Sequence, residues 1–364
     1  MRNTIGNQVS LTLFGESHGA AVGAVLDGIA AGIKIDTQKM DRLLALRRGE
    51  DSISTARREA DKVHFLSGVV DGVTTGTPIC LVIENKNTNS KVYDPNQLRP
   101  SHADYCAQVK YNGYQDYRGG GHFSGRVTAA LVAAGSIALQ ILQNKGIDTV
   151  SRLKQVHDVS DMPLPQENLQ QALQSLAESF FPVLDSEAAQ KMHSAIEEAK
   201  TRGDSVGGVV ETVVTGVPAG VGEPWFDSLE SALAKMMFAI PGVKGVSFGG
   251  GFEMCQKYGS QVNDALCFDQ DKNVKTATNF SGGINGGIAN GMPIIMQTAV
   301  KPTPSIYLPQ QSVRLDSGEE VTLQIEGRHD PAIVHRALQV INSAAALTLL
   351  DMICMECGTR WQVE

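Results

Sequence analysis

Gly119-Gly120-Gly121-His122-Phe123-Ser124-Gly125-Arg126 runs into a stretch of small apolar residues that ends near residue 144, at Lys145-Gly146. The spacing predicts a helix over about 125–144. Its Ala and Gly content lets neighbouring backbones come close, which puts it in the interior. Three glycines before a helix start free backbone amides to meet an anion, and the helix dipole favours negative charge there. Arg126, in the first turn, adds a guanidinium fork. The order is not the G-x-G-x-x-G dinucleotide pattern, and no strand with an acidic ribose partner accompanies it. Taken alone, a glycine triplet is also an ordinary turn.

Outward from this helix, residues 9–13 and 20–27 read as strands around the turn Gly15-Glu16-Ser17-His18-Gly19. Asp36-Thr37 caps a helix that reaches about Arg48, where Gly49 stops it. Residues 63–71 and 79–84 are strands split by a glycine-rich turn, and 85–100 is a loop. Residues 160–205 form a charged, peripheral helical insert. Strands at 206–216, 246–249 and 293–300 alternate with a helix after Asp227-Ser228 and a last helix over about 331–352. No linker separates halves. The 364 residues form one domain of mixed α and β layers, an α+β fold. Each half holds a glycine-rich turn and a long helix after a histidine motif, a weak echo short of a repeat.

Hydrophobic residues make up 42% and charged residues 19%, as in a globular chain and unlike a disordered one. The longest apolar runs break well before a membrane span's roughly 20 residues. Met1-Arg2-Asn3-Thr4 carries no apolar signal region, which argues against export and for a cytoplasmic protein. Cysteines at 80, 106, 255, 267, 354 and 357 are scattered as reduced thiols. Cys354-Met355-Glu356-Cys357 is a single C-x-x-C without the second pair that zinc needs, so no metal is expected. Net charge is −8, which disfavours nucleic acid. Even so, Arg42, Arg47, Arg48, Arg57, Arg58 and Lys62 cluster, as in an anion pocket or on a solvated helix face.

Three histidines stand in marked turns: His18 above, His102 in Arg99-Pro100-Ser101-His102-Ala103-Asp104, and His329 in Gly327-Arg328-His329-Asp330-Pro331. Imidazole moves protons near neutral pH, so His18, His102 and Asp330 are the acid–base candidates. A lone histidine is more often structural; turn placement beside hydroxyl or acidic groups favours function here. Arg99, Arg126 and Arg328 lie in or beside these motifs, as a site for a multiply charged anion requires. Ser281-Gly282-Gly283-Ile284-Asn285-Gly286-Gly287 allows close contact with a flat ligand, and Lys301-Pro302-Thr303-Pro304-Ser305 offers a cation and two hydroxyls. Gly15-x-Ser17-x-Gly19 touches the nucleophile-elbow pattern, but the strand that follows is not the helix an elbow needs.

These motifs in this order, with Tyr117-Arg118-Gly119 and Gly216-Val217-Pro218-Ala219-Gly220-Val221-Gly222-Glu223-Pro224, resemble the chorismate synthase family from Asn3 to about Asp351. The resemblance implies a β-α-β sandwich and a homotetramer. It implies the last step of the shikimate pathway, 1,4-anti elimination of phosphate from 5-enolpyruvylshikimate 3-phosphate, with reduced FMN and no net redox change. By motif position, His18 is the acid near the leaving phosphate. His102 protonates reduced flavin, and Asp330 helps its N5 lose a proton. FMN contacts fall on His122, Phe123, Ser124, Pro241, Gly242, Gly286, Lys301 to Ser305 and Arg328. Substrate anions fall on Arg47, Arg48, Arg57, Arg99, Arg126 and Arg328. NADP belongs to the family's vocabulary. With no dinucleotide motif, reduced flavin is expected from outside or by weak intrinsic activity.

Two departures stand out. Leu46 and Ser52 occupy positions that are often arginine in the family, and His122 stands where an arginine often meets FMN. Competing readings are an FMN-binding oxidoreductase, which would turn over a nicotinamide, and a non-catalytic anion- or flavin-binding protein. The second does not need the histidines and aspartate that share loops with the arginines. His122 yields a first prediction. FMN affinity should weaken as imidazole loses its proton across about pH 5.5–8. A titration of FMN binding over that range checks it, and a flat profile counts against it.

Overall fold

The structure, a computed structural model, describes residues 3–48, 53, 59–88, 90, 93–165, 167–177, 179–325 and 329–364. Its helices are α1 (Thr37–Arg48), α2 (Asp104–Lys110), α3 (Thr128–Asn144), α4 (Leu169–Ala177), α5 (Ser186–Arg202), α6 (Leu229–Ala239), α7 (Gly259–Val262) and α8 (Val334–Cys357).

Two antiparallel sheets enclose the long helices α3 and α8. Among the described residues the first runs in the order Thr4–Ile5, Ser10–Gly15, Ala21–Asp27, Ile79–Glu84, Val63–Ser67. The second runs Val243–Phe248, Ile294–Val300, Gly208–Thr215, Asp148–Val156, Val159–Ser160. Strict alternation sets the inner faces. Ile79, Leu81 and Ile83 are buried while Cys80 and Val82 are half-buried, and Ile294, Met296, Thr298 and Val300 repeat the pattern. α3 packs on the first sheet, α8 on the second, and the two helices on each other; α1 and α6 complete the helical layer. This is the expected α+β sandwich. The echo between the halves takes shape as two five-stranded sheets, each under a long apolar helix.

Ala129, Ala130, Val132, Ala133 and Ala134 of α3 are fully buried, as are Ile341, Ala344, Ala345, Ala346, Leu349 and Leu350 of α8. Residues of both sheets join them in one continuous apolar cluster. The expectation that no apolar stretch reaches membrane length fails. Gly125–Asn144 and Val334–Cys357 are both long and apolar enough to cross a bilayer, yet 83% of each apolar window is buried inside the fold. Their composition reflects the core between two sheets. α8 also anchors the chain start: Asp351 accepts hydrogen bonds from the backbone N–H groups of Asn7, Gln8 and Val9 at 2.8–3.0 Å.

The 160–205 insert is less peripheral than its charge suggests. α4 covers the outer face of the second sheet, where Leu173 and Leu176 meet Val150 and Val213. α5 sends Met192 and Ile196, one turn apart, into the main core. The expected strand at 63–71 ends at Ser67; a small hairpin, Val69–Val70 with Val73–Thr74, follows. The last helix runs to Cys357, where Gly358 at φ 76° ends it. Asp36 caps α1 as read, accepting from the N–H of Gln38 at 2.9 Å and Lys39 at 3.1 Å.

α3 and α8 touch where Gly135 faces Ser343. A Cβ on Gly135 would stand 2.4 Å from the Ser343 Cβ and 2.9 Å from its backbone. Backbone cannot yield as a flexible side chain can. Gly135→Val should therefore cost about 1–3 kcal/mol of stability from overpacking, measured by denaturant unfolding. An unchanged midpoint would show that the helices can part without penalty.

Candidate active site

The glycine loop is built around two imidazoles. Residues 118–123 form a tight, non-helical turn in which Gly119, Gly120 and Gly121 take φ of 60°, 82° and 54°. A Cβ on Gly119 would lie 2.5 Å from Cδ2 and Nε2 of His18. On Gly120 it would lie 3.2–3.3 Å from Cε1 and Nε2 of His102. Consecutive residues of one loop thus pack against His18 and His102, which arrive from segments 84 positions apart (102 − 18). Both the left-handed backbone and the missing side chain are required. The Ser17 N–H donates to the Gly121 carbonyl at 3.0 Å, joining the two turns. Asn85 donates to the carbonyls of Glu16 and Gly19, each at 2.9 Å, and so fixes the His18 turn. His18 Nδ1 sits 2.9 Å from the Ser90 hydroxyl, and its ring meets Tyr93 edge-on at 5.4 Å.

His102 belongs to a second group. Its Nδ1 is 2.6 Å from Asp104 Oδ1. Arg99 grips the same carboxylate with Nε at 2.8 Å, Nη2 at 2.7 Å and its backbone N–H at 3.0 Å. Tyr93 lies against the Arg99 guanidinium at 5.5 Å. Burial of Asp104 opposes ionisation, but the hydrogen bonds from Arg99 and His102 outweigh it and hold the carboxyl far below the usual range. These residues line a cavity of about 310 Å3, together with Gly120, Phe123, Tyr117, Asp116, Leu323 and Ile325. That is at the lower end of ligand-pocket sizes, roughly 300–1,000 Å3. Of the residues named from sequence, Arg99, His102 and Phe123 line it.

A third group lies behind the loop. Asp61 accepts from Arg47 Nη2 at 3.0 Å and, very closely, from Arg126 Nη1. Arg47 also donates to Thr128 Oγ1 at 3.3 Å, and Arg126 to Asn85 Oδ1 at 2.8 Å and the Glu84 carbonyl at 3.2 Å. Both arginines are buried. Burial, only partly offset by Asp61, brings the Arg47 guanidinium down to about 10, still charged at neutral pH. Burial works against Asp61 as well, but the two guanidiniums prevail and its carboxyl lies below the ordinary value. Both arginines therefore face an internal carboxylate, where the sequence reading assigned them to substrate.

The remaining assigned residues spread around these groups. Asp330 receives Arg336 Nη1 at 2.7 Å, and Arg336 Nε donates to the Arg47 carbonyl at 3.1 Å. The His329 ring meets Tyr307 at 4.8 Å in a tilted contact, and burial lowers its pKa. Lys301 Nζ donates to the Ser101 carbonyl at 2.8 Å, and its N–H to the Gly242 carbonyl at 2.9 Å, so Pro241-Gly242 and the 301–305 loop adjoin the His102 turn. Ser205 donates to the Thr303 carbonyl at 2.8 Å, while the buried Thr303 hydroxyl has no hydrogen-bond partner among the described residues. Gln310 donates to the Pro304 carbonyl at 3.3 Å. His122 Nδ1–H donates to the Gly15 carbonyl at 2.8 Å, and Ser124 caps the Arg126 N–H at 3.3 Å. Gly286, at φ 62°, occupies the turn of the Ile284–Ala289 hairpin with open space beside it. Arg48 donates to the Ala60 carbonyl at 2.8 Å. Arg57 and Arg328 lie outside the described residues. Among the described residues, no cluster of His, Cys, Asp and Glu is arranged to hold a metal.

Sequence reading gave no role to Tyr93, Asp61, Asn85, Asp104 or Arg336. For Asp104 a signal existed: its two-residue offset from His102 in a turn. Asp61 carries none, since the partners of a buried carboxylate come from α1 and from the start of α3.

The comparisons agree in direction. The family model described as chorismate synthase matches residues 9–354. A chorismate synthase of Pyrococcus abyssi is 48% identical over 348 residues, covering 95% of this chain and 96% of its own length. That of Methanobrevibacter smithii is 45% identical over 358 residues, covering 96% of each. A solved chorismate synthase crystal structure superposes with a TM-score of 0.76 at 28% identity, covering 97% of this chain and 94% of the other. The chain belongs to the chorismate synthase family of phosphate-eliminating carbon–oxygen lyases.

Proposed function

We propose that the chain converts 5-enolpyruvylshikimate 3-phosphate to chorismate and phosphate by 1,4-anti elimination, with reduced FMN bound and no net redox change. One observation supports the reading beyond family membership: two imidazoles pack on adjacent glycines, and one of them, His102, lines a ligand-sized cavity. Plain anion binding needs cations; it does not need two positioned proton carriers.

The residues fit a flavin. The cavity combines the aromatic side chains of Tyr93, Tyr117 and Phe123 with the polar groups of Gln97, Arg99, His102, Asp116 and Gln324. The buried hydroxyl of Thr303, unpartnered among the described residues, is the sort of group a ligand satisfies. His122, Phe123, Ser124, Pro241, Gly242, Gly286, Arg328 and the loop from Lys301 to Ser305 would hold FMN. When bound there, reduced FMN would supply the electron density for loss of phosphate and the means to remove a hydrogen too weakly acidic for a simple base. The chain's groups bind, orient and move protons. His18 delivers a proton toward the departing phosphate, His102 holds one at the flavin side, and Asp330 receives one. Arg99, Arg126 and Arg328, with Arg47, Arg48 and Arg57, set the positive field that two carboxylates and a phosphate require. Two guanidiniums on the single carboxylate of Asp61 leave one net positive charge behind the glycine loop. A homotetramer is consistent with the exposed Trp225, Phe226, Phe252 and Tyr258, each more than 80% accessible.

An anaerobic assay with chemically reduced FMN and the substrate tests the reaction by following chorismate absorbance and free phosphate together. Equal release of both, without flavin oxidation, is expected. Bound reduced FMN with no product would overturn the reading in favour of a flavin-binding protein. His18→Ala should lower turnover roughly 10²-fold, the low end of general acid–base effects, with FMN still bound; wild-type turnover would remove His18 from the chemistry.

Asp61 gives a stability prediction. Its folded pKa lies below the ordinary 3.8, so its contribution is fully present above that value and is lost as pH falls through the folded value. Asp61→Asn should be less stable than wild type at pH 7, and the gap should narrow as pH drops below about 4. Urea midpoints measured from pH 7 to 3 check this. A gap of constant size would mean that the charge on Asp61 does not matter.

A further inference from the structure

We propose that Asp104 is a positioning residue that holds His102 as the tautomer protonated on Nδ1, with Nε2 bare and presented at Gly120 and the cavity. Arg99 is then the counter-ion of this pair and not a free ligand for the substrate's anions. The proposal deepens the reading that His102 serves the site and rests on it for the catalytic consequence, though not for the tautomer.

The argument starts from who can donate. An ionised carboxylate only accepts and a guanidinium only donates. His102 Nδ1 lies 2.6 Å from Asp104 Oδ1 and 3.1 Å from Arg99 Nη2. It cannot serve both as a neutral ring. The shorter contact, and the ionised state of Asp104, place the proton on Nδ1, pointing at Oδ1. Arg99 Nη2 is satisfied by the same Oδ1 at 2.7 Å, so its nearness to the ring is a by-product of gripping the carboxylate. The Arg99 Nε and backbone N–H hold Oδ2 at 2.8 and 3.0 Å, which prevents the carboxylate from rotating off the imidazole.

The ring is also fenced. Gly120 stands against its Nε2 edge, where even a Cβ would be only 3.3 Å away. Ser101, at φ 56°, sets the approach of the chain, and Lys301 Nζ pins its carbonyl at 2.8 Å. The His102 N–H donates to the Arg99 carbonyl at 3.2 Å and closes the turn. Side chains of Arg99, His102 and Asp104 are 13%, 19% and 16% exposed. Tyr93 covers the guanidinium. The Arg99 guanidinium spends Nε–H and one Nη2–H on this carboxylate, whose charge offsets its own, and has Tyr93 against it, whereas the imidazole keeps one nitrogen open. A buried aspartate that fixes the tautomer of a working histidine is a recurrent catalytic device.

The test uses 15N nuclear magnetic resonance on full-length, histidine-labelled protein without FMN, at a pH where the ring is neutral, with His102 assigned by its loss in His102→Gln. The expected result is a protonated Nδ1 and a bare Nε2 in wild type, and loss of that preference in Asp104→Asn. A wild-type ring protonated on Nε2, or an Asp104→Asn ring unchanged in tautomer, overturns the proposal. In the loaded enzyme, Asp104→Asn should lower kcat at least about 10-fold with little change in the substrate KM, and Asp104→Glu should recover part of it. Arg99→Lys should preserve the tautomer and leave KM within about threefold; a KM rise of roughly 100-fold would return Arg99 to the substrate and overturn the counter-ion assignment. Should Asp104→Asn not fold, Asp104→Ala carries the same tautomer readout. The resonance result stands without turnover. A wild type that shows the expected tautomer but makes no chorismate therefore sinks the functional reading separately.

Discussion

The space above Gly119 and Gly120 is filled by imidazole. A Cβ at either position would push into His18 or His102, so the loop can carry no side chain where the two rings meet it. That contact is only as fixed as the loop. The loop ends in Ser124, which caps the turn through Arg126 into α3. α3 lies buried between the first sheet and α8. A chemistry-bearing turn is thus fastened to the most immobile element of the molecule. Close-packed interiors resist small displacements, and two histidines from distant loops inherit that rigidity by packing on the glycines.

Two buried arginine networks show how differently the same residue type is used. Arg152 sits in the second sheet between Asp161 and Glu211, at 2.5 Å and 2.7 Å, with Lys154 3.3 Å from Glu211. Asp161 also takes the N–H groups of Leu184 and Asp185. There the charges balance and tie the start of the helical insert to the sheet. Behind the glycine loop the stoichiometry is reversed, with Arg47 and Arg126 sharing Asp61. An excess guanidinium is costly to bury and is tolerated where an anion is to be met. The imbalance locates positive potential next to the glycine loop.

Much of this was readable in advance, for identifiable reasons. The small-residue helix at 125–144, the alternating strand at 293–300 and the Asp36 cap are local patterns, and each formed where its periodicity or cap chemistry placed it. The histidine turns were readable because glycine and proline mark them. Partners were not. Asp61 is unmarked in sequence and is defined by residues 14 and 65 positions away. Arg99 looked like an anion ligand because its motif is basic, yet a carboxylate five residues on takes its guanidinium. Composition misled for α5, whose charged surface hides a stripe of Ala188, Met192, Ile196 and Ala199.

The sandwich also explains why the site draws on both halves of the chain. His18, Asp61, His102 and the glycine loop belong to the first half, while Lys301, Asp330 and Arg336 belong to the second. Among the bonds that cross between the halves are Lys301 Nζ to the Ser101 carbonyl and Arg336 Nε to the Arg47 carbonyl. Each ends on the backbone of a segment that carries a site residue, His102 in one case and Arg47 in the other. Arg336, at the start of α8, holds Asp330 with its other face, so the helix that fills the core under the second sheet also sets the carboxylate near the first. Neither half could assemble this arrangement alone, because the groups that orient its histidine turn and its arginine segment come from the other side of the helical layer. The packing of α3 on α8 brings those sides to hydrogen-bonding distance, which makes the core contact a condition of the chemistry as well as of the fold.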